Sequence, residues 1–303
     1  MNIFHRFVSP CIFVMLLVGC DTTNSTSKPT SITPHFSQSI MQTETAQSPS
    51  VCKDIYSYPR YSPDGLWLEK LCYSELDHSL IMTLSNSESQ VLWKLLYQDY
   101  IPHIDFVPDD GGIAVVHWSN DGRYAYFSSY SNGSGGGCFV PNSHEGWGLF
   151  RLDLKTGNIK TILPLVDTKM VWYGFSFSPT DRQLVYGVGA KNFIILDMIT
   201  GESLNINHEK DFDDGGGFIW TQNGLEFVYS TGTFTSKSEI YSLRLVNVRT
   251  GSEQILLEAN NSCYLATEWK DNNTVLIEQN GLYSQKTTLE YDLKTNAVSI
   301  LVP

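Results

Sequence analysis

The sequence predicts an all-β fold, a five-bladed β-propeller of four-stranded antiparallel meander blades, on three observations. An aromatic residue is followed four positions later by a residue that tolerates a left-handed backbone at Tyr61 to Gly65, Trp118 to Gly122, Phe177 to Asp181, Trp220 to Gly224 and Trp269 to Asn273. A second turn recurs behind the first at Asp153 to Gly157, Asp197 to Gly201, Asn247 to Gly251 and Asp292 to Asn296. Strand-like runs such as Tyr124 to Phe127, Leu184 to Tyr186, Phe227 to Tyr229 and Val275 to Ile277 follow the first turn.

Each turn has a physical reason. In Tyr61-Ser-Pro-Asp-Gly65 the Ser and Asp bond the local backbone, Pro presets φ, and Gly accepts φ > 0. In the second turn Asp or Asn opens with an Asx bond and Gly or Asn closes in the left-handed region, joining strands such as Leu149–Leu152 and Ile159–Leu163. Two hairpins per unit make a four-stranded meander. In the first unit the second turn is degenerate, near Asn86 between Leu84 and Val91, as expected of a terminal repeat.

The aromatic-Ser-Pro-Asp-Gly turn at Tyr61–Gly65 and the Thr-Gly hairpins at three later places resemble TolB-type, WD40-like propeller repeats. The resemblance covers residues 51 to about 302. It implies the propeller fold and, since fold does not determine function, a choice among interaction platform, peptidase gate and part of a larger envelope assembly.

Residues 1–19 carry one basic residue, Arg6, and an apolar stretch from Phe7 to Val18 too short to span a membrane, which predicts an export signal. Leu17-Val18-Gly19-Cys20 resembles the lipobox of bacterial lipoproteins, and that resemblance implies cleavage before Cys20 and acylation there. Two kinds of acyl attachment suffice for a stable membrane tether. Residues 20–50 are Ser/Thr-rich with few charges, so they read as a flexible linker of about 30 Å r.m.s. span. Residues 51–303 form the propeller. These readings place a monomeric lipoprotein in the cell envelope, facing the periplasm or the exterior.

The net charge of −12 and the absence of a Lys/Arg cluster argue against nucleic acid as a partner. Cys52, Cys72, Cys138 and Cys263 fall in an exported domain where disulfides persist. All four map to one face of the propeller. The favoured pairing is Cys52–Cys72 with Cys138–Cys263; Cys52–Cys263, clasping first blade to last, is the competitor.

The repeated turns project from one face and four insertions from the other: Ile101 to Gly112, Tyr130 to Gly146, Asn207 to Gly217 and Glu258 to Ser262. Loops on a rigid scaffold carry recognition, so the loop-rich face is the expected protein-binding surface. Asp54, Asp109, Asp110, Asp167, Asp213 and Asp214 lie at the entrances of inner strands and would ring the channel mouth, a setting for a cation such as calcium or for a cationic or polyhydroxylated ligand. The plainer reading of these residues is solvated turn-formers.

No cofactor is implied. No Gly-x-Ser-x-Gly occurs, and Gly174-Phe-Ser176-Phe-Ser178 lies in a strand. Peptidases gated by such propellers need a separate catalytic domain for which this chain leaves no residues, so the sequence predicts a non-enzyme. A five-bladed glycoside hydrolase, with carboxylates around the cavity, is the enzymatic alternative.

Overall fold

A computed structural model describes residues 52–54, 60–74, 79–101, 111–131, 144–166, 173–188, 191–206, 208, 212–236, 238–281 and 286–301. They form five antiparallel sheets arranged as a five-bladed propeller. In the first sheet the inner strand is split into β1 (Cys52–Asp54) and β2 (Arg60–Tyr61), both paired to β3 (Trp67–Ser74), with β4 (Ser79–Asn86) and β5 (Val91–Leu96) outside. A 3-10 turn, Tyr97–Tyr100, follows. The second sheet orders β6 (Gly111–Trp118), β7 (Tyr124–Ser131), β9 (Leu149–Asp153) and β10 (Ile159–Leu163) from inside out.

Between β7 and β9 the short β8 (His144–Gly146) leaves its own sheet and pairs with β11 (Tyr173–Phe177) of the third, which continues through β12 (Gln183–Val188), β13 (Lys191–Asp197) and β14 (Ser203–Asn205). The fourth sheet holds β15 (Asp214–Trp220), β16 (Glu226–Phe234), β17 (Glu239–Asn247) and β18 (Glu253–Asn260). The fifth holds β19 (Ser262–Trp269), β20 (Thr274–Gly281), β21 (Thr287–Asp292) and β22 (Ala297–Leu301).

The turn chemistry is that of the repeats. Ser62 Oγ accepts the Trp67 N–H at 3.0 Å and the Gly65 N–H returns to the Ser62 carbonyl at 2.9 Å; Ser119, Ser178 and Thr221 make the same pair of bonds. In the outer hairpins Asp153, Asp197, Asn247 and Asp292 each accept two successive backbone N–H groups. Gly157 shows why the closing residue is small: its φ is +76°, and a Cβ there would lie 2.3 Å from the Trp93 ring of the preceding sheet.

Alternation along the strands sends apolar side chains into the joints between sheets. One buried cluster runs from Met82 and Leu84 through Phe127 and Phe150 to Phe175, joining sheets one to three. Phe193, Phe218, Phe227 and Tyr229 join three to four, and Leu243, Tyr264, Ile277 and Tyr291 join four to five. Each such side chain fully buried contributes about 1.5–3 kcal/mol.

Two sequence expectations need correction. Glu258 to Ser262 is no insertion: β18 passes to β19 through one residue, Asn261, at φ 56°. The Gly pairs at 111–112 and 215–216 belong to inner strands rather than loops, and at Gly111, Gly112 and Gly215 the missing side chain lets aromatic neighbours approach. Among the described residues no helix is long and apolar enough to cross a membrane.

Candidate functional site

The loop-rich side is best defined at the fourth and fifth sheets. Asp213 is exposed; its N–H bonds the Gly232 carbonyl and its Oδ2 accepts the Phe234 N–H at 2.7 Å, so this carboxylate caps the end of β16. Asp214 begins β15 and takes its neighbour's N–H, that of Gly215, at 2.8 Å. Beside them Tyr241, buried, donates its hydroxyl to Glu239 Oε2 at 2.7 Å, and burial, then that carboxylate, push the phenol up to about 12. Phe234, exposed, stands edge-on to the Tyr241 ring. The described rim therefore combines acidic groups with one exposed aromatic.

Of the other residues expected at the mouth, Asp54 has its backbone within β1, opposite Cys72, and Asp109, Asp110 and Asp167 lie outside the described residues. So do Cys20 and Cys138. Cys72 and Cys263 are buried and carry disulfide-bonded sulfurs. Cys52 faces Ser74 across the β1–β3 ladder, two positions from Cys72. Among the described residues no group of three or more His, Cys, Asp or Glu is placed to hold a metal ion.

Beneath the rim lies a buried polar network that the repeat pattern did not reveal. Arg244 Nη1 and Glu253 Oε1 are 2.5 Å apart, with both side chains at 1% exposure or less. Arg244 Nε also donates to Thr231 Oγ1, and its guanidinium lies over the Phe212 ring at 4.9 Å. Glu253 Oε2 receives the Tyr229 hydroxyl and lies 3.0 Å from His208 Nδ1. Burial, reinforced by the Glu253 charge, raises the Tyr229 phenol well above its ordinary value. His208 and Phe212 both precede the Asp213-Asp214 segment, so their contacts with Glu253 and Arg244 tie the approach to the acidic segment to the buried ion pair. The available signal was Arg244 at an inward position of the apolar run Tyr241 to Val246.

On the turn side, side-chain bonds link the turns of sheets two and three and of sheets four and five. Asp181, at φ 57° where three other repeats carry Gly, places Oδ1 2.6 Å from His117 Nε2 and accepts the Asn120 N–H on Oδ2. His117 stacks on Phe177 at 4.2 Å, and Asn223 reaches Asn272 of the fifth sheet. The departure from Gly at this position thus ties sheets two and three together.

No protein-family model matches the chain. It is 30% identical over 125 residues to the Tol-Pal system protein TolB of Francisella tularensis subsp. mediasiatica, a match covering 40% of this chain and 23% of that protein. The matched part of the chain is similar to TolB. The matched length is thus under a quarter of that relative. Among solved structures the propeller is similar to a Mycobacterium tuberculosis puromycin-hydrolysing peptidase (TM-score 0.54, 12% identity, 84% of this chain and 38% of that one). It is also similar to Porphyromonas gingivalis dipeptidyl peptidase 4 (TM-score 0.53, 10% identity, 82% and 40%).

These peptidases correct the expectation of a non-enzyme. That expectation excluded peptidases on chain length, yet propellers similar to this one in fold belong to peptidases, in which the matched part is about two fifths of the chain. Chain length is therefore no ground for the exclusion. At 10–12% identity the likeness establishes the fold alone.

Proposed function

We propose that the TolB-like propeller is an extracytoplasmic lipoprotein, tethered to a membrane by acylated Cys20 and a flexible linker, that binds another envelope protein through its loop-rich face. The observation that carries this reading is the difference between the two faces. The turn side is built of short turns, some linked to their neighbours, whereas the loop side presents the acidic rim with exposed Phe234 on a rigid buried support. Rigid support beneath a recognition loop lowers the ordering cost of binding. The likeness to a Tol-Pal system protein favours a partner within a multi-protein assembly of the envelope.

The pairing Cys52–Cys72 with Cys138–Cys263 belongs to the same reading. In it Cys263 of the fifth sheet pins the glycine-rich segment that ends at Cys138, stiffening the binding face. Non-reducing peptide mapping tests it, and a Cys52–Cys263 peptide would refute it.

The function is tested by cross-linking intact membranes and recovering the tagged full-length chain. One envelope protein should co-purify at near-stoichiometric yield, and Cys20→Ser should move the chain to the soluble fraction. Recovery of lipid-processing enzymes alone, or unchanged membrane association of the Ser variant, would overturn the corresponding half of the proposal.

A further inference from the structure

β22 differs from the outer strands of the other four sheets. In sheets two to five the residue after the Asp or Asn that opens the outer turn is Leu154, Met198, Val248 or Leu293. Each joins an apolar cluster that also holds an outer-strand residue of the preceding sheet, Trp93, Ile162, Leu204 and Leu257 in turn. Around the ring the sheet after the fifth is the first, whose outer turn is shorter and carries exposed Ser87 at that position. The outer strand of the fifth sheet therefore lacks the cover that the other four receive. Ala297 and Ser299, on its face turned to the first sheet, are exposed. Val298 and Ile300 share the opposite face with Tyr291 and Leu289 but lie farther out, at 46% and 66% exposure.

An open sheet edge is a template for another strand unless charge, a bulge or shortness blunts it. β5 carries Lys94 and a register shift, β10 carries Lys160 and a register shift, and β18 carries Glu253 and Glu258 with a register shift against its neighbour. β14 has three residues. β22, Ala-Val-Ser-Ile-Leu, has no charge, no proline and an unbroken register with β21. Among the described residues no strand pairs with its other edge.

The backbone fixes which groups that edge offers. The outer hairpins close on a hydrogen-bonded pair: Asp153 N–H donates to the Asn158 carbonyl at 2.9 Å, Asp197 to Glu202 at 2.9 Å and Asn247 to Ser252 at 3.0 Å. The equivalent pair in the fifth sheet is Asp292 with Ala297. Alternation then turns the main-chain groups of Ala297, Ser299 and Leu301 to β21 and those of Val298 and Ile300 outward. An antiparallel second copy centred on Ser299 sets Val298 opposite Ile300 of that copy, Ala297 opposite its Leu301 and Ser299 opposite its Ser299. This register joins outward main-chain groups to outward main-chain groups, gathers Val298 and Ile300 of both copies on one face, and opposes no like charges.

We propose that β22 is a homodimerisation edge, where two copies of this chain pair antiparallel about Ser299 and continue the fifth sheet from one propeller into the other, in place of the monomer expected from the sequence. A strand this short buries less than a standard interface, so the dimer is reversible and depends on concentration.

The test is sedimentation velocity of the full-length chain in detergent, with non-reducing peptide mapping of single-cysteine variants. The wild-type chain should pass from monomer to dimer as concentration rises, and Ile300→Lys, a change at an exposed position, should return it to monomer with an unchanged unfolding midpoint. Ser299→Cys should form a 299–299 disulfide at least about tenfold faster than Thr161→Cys, which is exposed on β10, because pairing raises the effective concentration of the facing thiols. A chain that stays monomeric at every concentration, or a dimer unaffected by Ile300→Lys, would overturn the proposal. So would an adduct from position 299 to a different protein in intact membranes with no 299–299 peptide.

Discussion

Glu69 offers the most quantitative test of how the sheets are joined. It points from β3 into the joint with the second sheet, where β6 has an irregular register between Val115 and His117. Its Oε1 accepts the Val115 N–H at 3.1 Å, and Arg60 contributes from 3.6 Å while donating to the Val115 carbonyl at 3.3 Å. Burial is the largest influence on the carboxyl and raises it from 4.5 to about 7, against the opposing pull of Arg60 and the Val115 N–H. Because the folded value is raised, the folded state holds the proton more tightly than the unfolded chain. The associated stability is fully present below pH 4.5 and is lost as pH rises through 7. A shift of that size corresponds to about 3 kcal/mol across the window. In Glu69→Gln the amide oxygen keeps the Val115 bond and does not titrate. Urea unfolding followed by tryptophan fluorescence from pH 5 to 8 should show the wild-type chain losing about 3 kcal/mol relative to the variant over that range. Parallel pH profiles for the two proteins would refute the burial argument.

Other consequences are open to the same unfolding measurements. Gly157→Ala should cost about 2–3 kcal/mol, combining left-handed strain with collision against Trp93, whereas Gly201→Ala, at φ +77° with nothing nearby, should cost about 1 kcal/mol; equal losses would remove Trp93 from the account. Arg244→Met or Glu253→Gln alone should destabilise by about 3–5 kcal/mol by stranding a buried partner, and the double variant by less than their sum; strict additivity would contradict the network. Asp181→Gly restores the commoner turn residue yet should lower stability by about 1 kcal/mol through loss of the His117 and Asn120 bonds, and a gain in stability would contradict that role.

Turns were the legible part of this chain. Ser62, Asp153 and their counterparts form their turns through contacts within a few residues, so local sequence carries the information. The alternation of strands, and with it the five sheets, followed from turn spacing. What stayed hidden depends on pairings between distant residues. β8 joins the third sheet by a crossing that no local pattern encodes, and Glu253 meets His208 from 45 residues away. Asp181 read as a tolerated substitute for Gly, and its bond to His117 appears only once two sheets are packed. The acidic mouth was legible as composition but not as geometry: Asp213 spends one carboxylate oxygen on a backbone N–H, a use that solvated loop carboxylates do not require. The Gly pairs were misjudged as loop because glycine favours turns, while here it makes room for Tyr130, Phe212 and Phe193 beside an inner strand.

The central claim, recognition through the loop-rich face, is tested most directly by site-specific photocrosslinking in intact cells. A photoreactive amino acid in place of Phe234, 45% exposed on the loop side, should yield one discrete protein adduct, while the same probe in place of Ile199, 77% exposed on the turn side, should yield none. An adduct from position 199 alone would contradict the assignment of the binding face.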